Sequence, residues 1–249
     1  MAINVNTVYT TVLNILNKEQ RGYLTPDEFN KIATQVQLEI FEKFFEDYNQ
    51  YIRMPKTDVE FASRMDHIMK EFQVFEKTEF ADNTTPPTSN VYDQPTDLHR
   101  FGSATWNKGT NSPPIEILSN RDYNRVKLSP LTQPTNNFPV AKYQQDKLTV
   151  FPSPTIFSNT DVTFNYIRKP LDVVWAYSVG SLGQYVYEPT NTGAGIIPTT
   201  GSVNFEISES QQTEVILEIL KYSGIVIRDP QIIQAASREL AQEEVNSKR

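Results

Sequence analysis

Proline placement is the strongest constraint on this chain. The middle carries the clusters TTPPT, SPP, SPLTQPTNNFP and FPSP, and a proline inside a helix costs about 3 kcal/mol, because it removes a hydrogen bond and its ring clashes with the preceding turn. Between about Asn83 and Ser208, regular structure is therefore expected as short strands separated by turns. The flanks lack such clusters and show helical spacing of apolar residues. The expected fold class is α+β: an N-terminal helical hairpin or bundle over residues 1–80, a central β-rich domain with long Pro-rich loops over 81–208, and C-terminal helices over 209–249. No internal repeat of fixed period is present.

In the first flank, Val5, Val8, Val12, Leu13, Ile15 and Leu16 place a helix from about Asn4 to Lys18, with Gly22 ending the turn beyond it. Thr25-Pro26-Asp27-Glu28 marks the next start: a cap hydroxyl, a proline at the first helical position, and a glutamate able to reach back to the cap amide. From there Phe29, Ile32, Val36, Ile40, Phe44, Tyr48 and Ile52 form one stripe, widened by Leu38, Phe41 and Phe45. A surface helix needs an apolar stripe of only about 100°. This one is expected either to sit between two layers of its own domain or to meet a neighbouring subunit. Pro55 closes it, and Asp58 is placed to cap a third helix in which Phe61, Met65, Ile68, Met69 and Phe72 share a face.

Strand alternation is clearest at Val162, Phe164 and Tyr166, set against Thr163, Asn165 and Ile167, and again at Val203, Phe205 and Ile207. Ile115-Glu116-Ile117 and Leu148-Thr149-Val150 are weaker versions, and Ser119 with Asp122 is spaced to cap one helical turn between strands. In the tail, Ser208 and Gln211 have capping-box spacing before a helix carrying Val215, Ile216, Ile219, Leu220 and Tyr222, expected to stop near Gly224. Asp229-Pro230 then begins a last helix with a thin apolar face of Ile232, Ile233, Ala236, Leu240 and Val245. Each fully buried large side chain contributes about 1.5–3 kcal/mol, so this face gains little from its own domain and suits a partner.

The chemistry visible in the sequence is sparse. Cysteine is absent, which leaves no disulfide, thiolate metal site or thiol nucleophile. A formal net charge of −7 argues against wrapping nucleic acid, a mode that requires clustered Lys and Arg. The opening MAINVNTVYT has no charged segment leading into an apolar one, so no secretory signal is expected and the sequon at Asn83 is expected to be idle. The stretch from Val215 to Ile227 is too short and too charged to span a bilayer. The run from Asn17 to Glu28 has the frame of a calcium-binding loop. Its third and fifth positions, however, are Glu19 and Arg21, and a cation at a ligand position opposes binding. A glycine turn followed by a capping box accounts for the same residues. His67 and His99, the only imidazoles, fit no catalytic motif, and no phosphate-binding glycine loop accompanies Gly193, Gly195 and Gly201. Accidental carboxylate pairs are expected among thirty acidic residues. No catalytic, cofactor-binding or metal-ligating residue is assigned, and the chain is read as a non-enzyme. The aromatics Trp106, Tyr143, Trp175, Tyr177, Tyr185 and Tyr187 fit core or interface packing; a sugar-binding platform is the other use.

Four stretches carry a resemblance: VNTVYTTVLNILNKEQRGYLTPDEFN, QPTDLHRF, FPVAKYQQDKLTVFPSP leading into VTFNYIRKP, and GIVIRDPQIIQAASRELAQEE. In these the chain resembles the head-to-tail connector (adaptor or neck ring) subunits of short-tailed bacteriophages, especially those of crAss-like phages. The segment from Ser178 to Gly201 has no counterpart and reads as a virus-specific loop. The resemblance implies a virion structural protein at the portal vertex or tail neck, made in the host cytoplasm. It implies a homo-oligomeric ring of about twelve subunits that links the portal protein to the next tail or ring protein. DNA would pass through without specific binding, past a negative bore that repels it, and no membrane is involved. On that reading the last helix docks on the portal or an adjacent subunit through Ile232, Ile233 and Leu240. The alternative is a carbohydrate- or receptor-binding tail module built on the aromatics from Trp175 to Tyr187.

Overall fold

The computed structural model describes residues 2–18, 24–53, 69–81, 90–107, 112–153, 160–191, 195–227 and 230–247. In chain order they form β1 (Ala2–Ile3), α1 (Val5–Lys18), α2 (Pro26–Arg53), β2 (Glu76–Phe80), β3 (Val91–Asp93), β4 (Leu98–Trp106), β5 (Glu116–Ile117) and α3 (Asn120–Leu128). There follow β6 (Val140–Gln144), β7 (Lys147–Phe151), β8 (Val162–Arg168), β9 (Tyr177–Val179), β10 (Tyr185–Tyr187), β11 (Phe205–Ser208), α4 (Gln212–Ile227) and α5 (Pro230–Ser247). The fold class is α+β, with helices at both ends and strands between.

By contact the chain forms two compact units, one of Met1–Glu71 with Pro170–Arg249 and the other of Phe72–Lys169. Composition sorts the chain by element type, whereas contact sorts it by packing, so the strand-rich stretch 81–208 contributes to both units. Pro55, Asp58, Phe61, Met65 and Ile68, from which the third helix was expected, lie outside the described residues, as do His67, Gly22 and Asn83; residues 69–73 are helical.

The first unit is organised around α2. Its start is the expected capping box: Thr25 N donates to Glu28 Oε2 at 3.0 Å, and Glu28 N donates to Thr25 Oγ1 at 3.4 Å. Asn4 caps α1 in the same way, accepting from the amides of Asn6 and Thr7. Phe29, Ala33, Val36, Ile40, Phe41, Phe44 and Phe45 of α2 are all buried. Among the described residues, the wide apolar arc is thus largely covered by the helix's own unit.

A second face of α2 is polar and holds an extended strand. Asn30, Thr34 and Gln37 lie on one side of the helix, at about 6 Å and then 4.5 Å of rise. Asn30 Oδ1 accepts from Trp175 N at 2.7 Å, and its amide donates to Trp175 O at 3.3 Å. Thr34 Oγ1 accepts from Val173 N at 3.1 Å and donates to Val173 O at 3.3 Å. Gln37 Nε2 donates to Leu171 O at 2.7 Å, while its Oε1 accepts from Glu206 N at 2.8 Å. Residues 171, 173 and 175 recur every 6.6 Å or so along an extended chain, close to one helical turn. Glutamine, the longest of the three side chains, stands where the helical step falls short. The opposite edge of this segment pairs through Val174 with Val203.

At the tail two expectations are corrected. Ser208 makes no side-chain cap bond; a 3-10 turn over Glu209–Gln211 precedes α4, so the Ser208–Gln211 box does not form. Gly224 does not end α4, which runs on to Ile227. A Cβ on Gly224 would come within 3.0 Å of Ile233 Cγ1 and 3.2 Å of Ile232 Cβ, so glycine here permits the close approach of α4 and α5. Two isoleucines occupy the place of its missing side chain.

The second unit packs a three-stranded sheet, β2-β8-β4, against a four-stranded one, β3-β7-β6-β5, in which only β5 and β6 run parallel. Val162, Phe164 and Tyr166 of β8 share a core with Tyr92, Trp106, Leu148 and Val150. Ser119 caps α3 by accepting from Asp122 N at 3.2 Å. This helix runs nine residues, Asn120–Leu128, where one turn was expected, because Tyr123 is buried and anchors a further turn.

Gln37→Met is the direct test of the polar ladder. The side chain is 1% exposed, and the substitution would leave the Leu171 carbonyl and the Glu206 amide without their partner. Each such loss costs about 1–3 kcal/mol, so urea unfolding should show at least that drop. Gln35→Met, at an exposed position of the same helix, should stay within about 0.5 kcal/mol of wild type.

Candidate functional site

The residues that distinguish this surface are uncharged. No Asp, Glu, Lys, Arg or His occurs between Asp172 and Glu188, or between Glu188 and Glu206. Out of this stretch rises the hairpin of β9 and β10, whose register pairs Tyr185 with Val179 and Tyr187 with Tyr177. Those four side chains share one face, since strand side chains alternate. At the base of that face Trp175 is 4% exposed, its indole donating to Asn6 Oδ1 at 3.0 Å. Tyr187 and Tyr177 stack on it at 5.7 and 5.9 Å, and Tyr9 lies 4.3 Å away. Tyr177 meets Tyr185 edge-on at 4.8 Å. The aromatic row thus runs from the inside of the first unit to the open end of its hairpin.

At that end the turn closes with Gly180 N donating to Gln184 O and Gly183 N donating to Gly180 O, and Gly183 takes a φ of +80° that a side chain would oppose. Leu182, at the tip, is 91% exposed; Val179, Tyr185 and Val186 are exposed along the hairpin, as is Ile197, which pairs with Tyr177 at its base. Strand edges open to water are normally protected by charge. Here, none is present.

The second unit has a surface of the same kind. From Leu128 to Ala141 there is again no charged residue, yet Leu128, Leu131 and Phe138 are 82%, 94% and 78% exposed. Beside them lies a hollow of about 520 Å³ whose walls include Leu118, Val126, Pro134, Phe138 and Val140. Glu116 is its one charged lining residue; Lys127 and Lys142 bound the uncharged stretch in sequence, and Arg121, Asp122 and Arg125 are exposed on α3. Clustered apolar exposure of this sort is the kind of surface that a partner covers, where a lone exposed Leu would need no explanation. The sequence signal that finds both surfaces is the gap in the charge pattern, not the apolar content.

The docking residues expected on the last helix are placed as follows. Ile232 and Ile233 lie against Gly224 of α4 and are half-buried, as is Leu240, while Ala236 is buried. Part of the thin apolar face is therefore used inside the first unit.

One pair of carboxylates is brought together. Tyr166 Oη lies 2.9 Å from Glu79 Oε2 and 2.7 Å from Asp97 Oδ1, its one proton shared between the two carboxylates, while Lys77 Nζ bridges the same two residues at 2.8 and 3.0 Å. Hydrogen bonds from Lys77 and Tyr166 hold Glu79 below the usual carboxylate range. Partial burial opposes the same effect at Asp97, but bonds from Tyr166 and Lys77 still hold it low. Hydrogen bonds to Glu79 and Asp97 raise Lys77, and burial with those same bonds pushes the Tyr166 phenol well up. A general acid needs a raised carboxyl, and both members of this pair are lowered. The group acts as a clamp joining β2, β8 and the turn before β4.

Glu28, the twelfth residue of the calcium-like frame, has its carboxylate engaged by Thr25, whose hydroxyl and amide hydrogen bonds lower its pKa. His99 lies on β4, half-buried. Among the described residues no group of three His, Cys, Asp or Glu side chains is disposed to hold a metal ion, and no helix is long and apolar enough to cross a membrane. No protein-family model matches the chain, and no curated protein matches it.

The clamp gives a signed pH dependence. Lowered carboxylates stabilise the fold above their ordinary values of 4.5 and 3.8, and that contribution is lost as pH falls through the folded values. Tyr166→Phe should cost about 1 kcal/mol at pH 7. It should also flatten the acid limb of a stability-versus-pH curve by no more than about 1 kcal/mol, since the charged groups are a third to a half exposed.

Proposed function

We propose that this chain is a virion structural protein, a ring-forming head-to-tail connector subunit that links a portal to a tail and lines the DNA conduit of a tailed phage. The observation that carries the reading is the pair of uncharged surfaces topped by Leu182 and Leu131, both more than nine-tenths exposed. Leaving such groups in water forgoes about 1.5–3 kcal/mol each, and charge is depleted where interface cores are to form. A subunit of a permanent assembly has this character. The phrase-level resemblance described above supplies the kind of assembly.

Charge supports the conduit. Basic and acidic side chains nearly cancel within Phe72–Lys169, so the net negative charge of the chain belongs to the first unit. Facing the bore, that unit would repel passing DNA and let it slide. The docking of α5 on the portal or on an adjacent subunit remains part of the proposal, with Leu240 and the outer sides of Ile232 and Ile233 as its anchors. The carbohydrate-binding alternative rests on a hollow of about 570 Å³ lined by Tyr9, Trp175, Tyr185 and Tyr187; it has weaker support, because Trp175 itself is only 4% exposed, packed among Tyr9, Tyr177 and Tyr187.

Counting this protein in purified particles, by quantitative mass spectrometry with cryo-EM of the tailed vertex, tests the proposal. About twelve copies in one ring are expected, and absence from the particle overturns it. Leu182→Glu should leave stability within about 0.5 kcal/mol of wild type, yet reduce incorporation at least tenfold, because it buries an unpaired charge at a contact.

A further inference from the structure

We infer that copies of this chain join head to tail through two different surfaces, the β9–β10 hairpin of one copy seating on the Leu128–Phe138 surface of the next. The inference rests on the ring reading and says how the ring is built. A surface that pairs with itself closes a dimer and stops, whereas a ring of more than two requires each subunit to carry two unlike, complementary patches. The described residues offer two such patches, one on each compact unit.

The patches are complementary in shape, polarity and charge. One is convex, a hairpin with Leu182 at its tip. The other is concave, a hollow of about 520 Å³ among whose lining residues Glu116 alone is charged. The hairpin from Val173 to Tyr187 and the stretch from Leu128 to Ala141 carry no charge, so Glu116 is the one ion whose surroundings the contact would change. Arg125 and Lys127, both exposed, flank the lining residue Val126 in sequence, whereas the hairpin is followed directly by Glu188. Opposed charge at the rim of a contact steers association and fixes orientation. A second hairpin offers no such rim, so self-pairing of hairpins lacks the charge match.

The absence of native cysteine makes disulfide trapping unambiguous. The full chain carrying L131C and L182C together, incorporated into particles and oxidised, should show an interchain disulfide between positions 131 and 182, multiplying into a ladder of linked copies. Each single variant should show at least tenfold less linkage. Both positions are more than nine-tenths exposed, so neither substitution disturbs the core. Linkage of 182 to 182, or a ring of normal copy number with no linkage, overturns the head-to-tail contact and leaves the connector reading standing. Absence of the wild-type chain from particles removes the ring and the inference with it. Should the double variant fail to incorporate, the wild-type ring decides: its cryo-EM map must place each hairpin on the Leu131 loop of a neighbour, and a hairpin lying elsewhere overturns the inference.

Discussion

The hydrogen-bonded ladder from α2 to residues 171–175 is the interaction on which the first unit depends. The chain leaves this unit near Glu71 and returns at Pro170, and on return it must find partners for an extended backbone. Asn30 and Thr34 each satisfy a donor and an acceptor of that segment from helix side chains, and Gln37 donates to the Leu171 carbonyl while accepting from Glu206 N of β11. A helix thereby serves as the neighbouring strand that the segment lacks. Unpaired backbone groups in that position would each cost about 1–3 kcal/mol, enough to leave the returning segment unattached. With the segment fixed, Trp175 is set against Tyr9, and the hairpin of β9 and β10 stands on that base.

The surface built on this base is exposed, apolar and without charge. Other exposed apolar side chains, such as Phe80 beside the clamp of Lys77, Glu79 and Asp97, have charged neighbours. Around Leu182 and around Leu131 the chain runs uncharged over long stretches. An edge strand without charge is prone to promiscuous pairing, a liability that becomes useful once a fixed neighbour covers it. The proposed assembly turns both exposed surfaces into buried ones, and the acidic balance of the first unit is left to face DNA.

Local structure was legible from the sequence where the signal was local. The Thr25–Glu28 box starts its helix as read, because capping is a contest among neighbouring groups. The alternation of Val162, Phe164 and Tyr166 is the buried face of β8. Legibility fell where the deciding partner is distant. Gly224 reads as a stop, but Ile232 and Ile233 use its missing side chain for close packing. The Ser208–Gln211 spacing reads as a cap, but a 3-10 turn takes its place. Asn30, Thr34 and Gln37 read as the polar remainder of an apolar helix, since the strand they hold lies more than 130 residues away. Of the candidate surfaces, the aromatics from Trp175 to Tyr187 were visible as packing residues. The two exposed apolar patches were not singled out, because their mark is a lack of charge rather than a motif.

Amide hydrogen exchange, compared between the free chain and the assembled form, measures the central claim that the β9–β10 hairpin is a surface awaiting a neighbour. The account predicts fast exchange over Val179–Tyr187 in the free chain and strong protection on assembly, while the backbone held by α2 at Val173 and Trp175 stays protected in both. Equal exchange of the hairpin in the two states would contradict it.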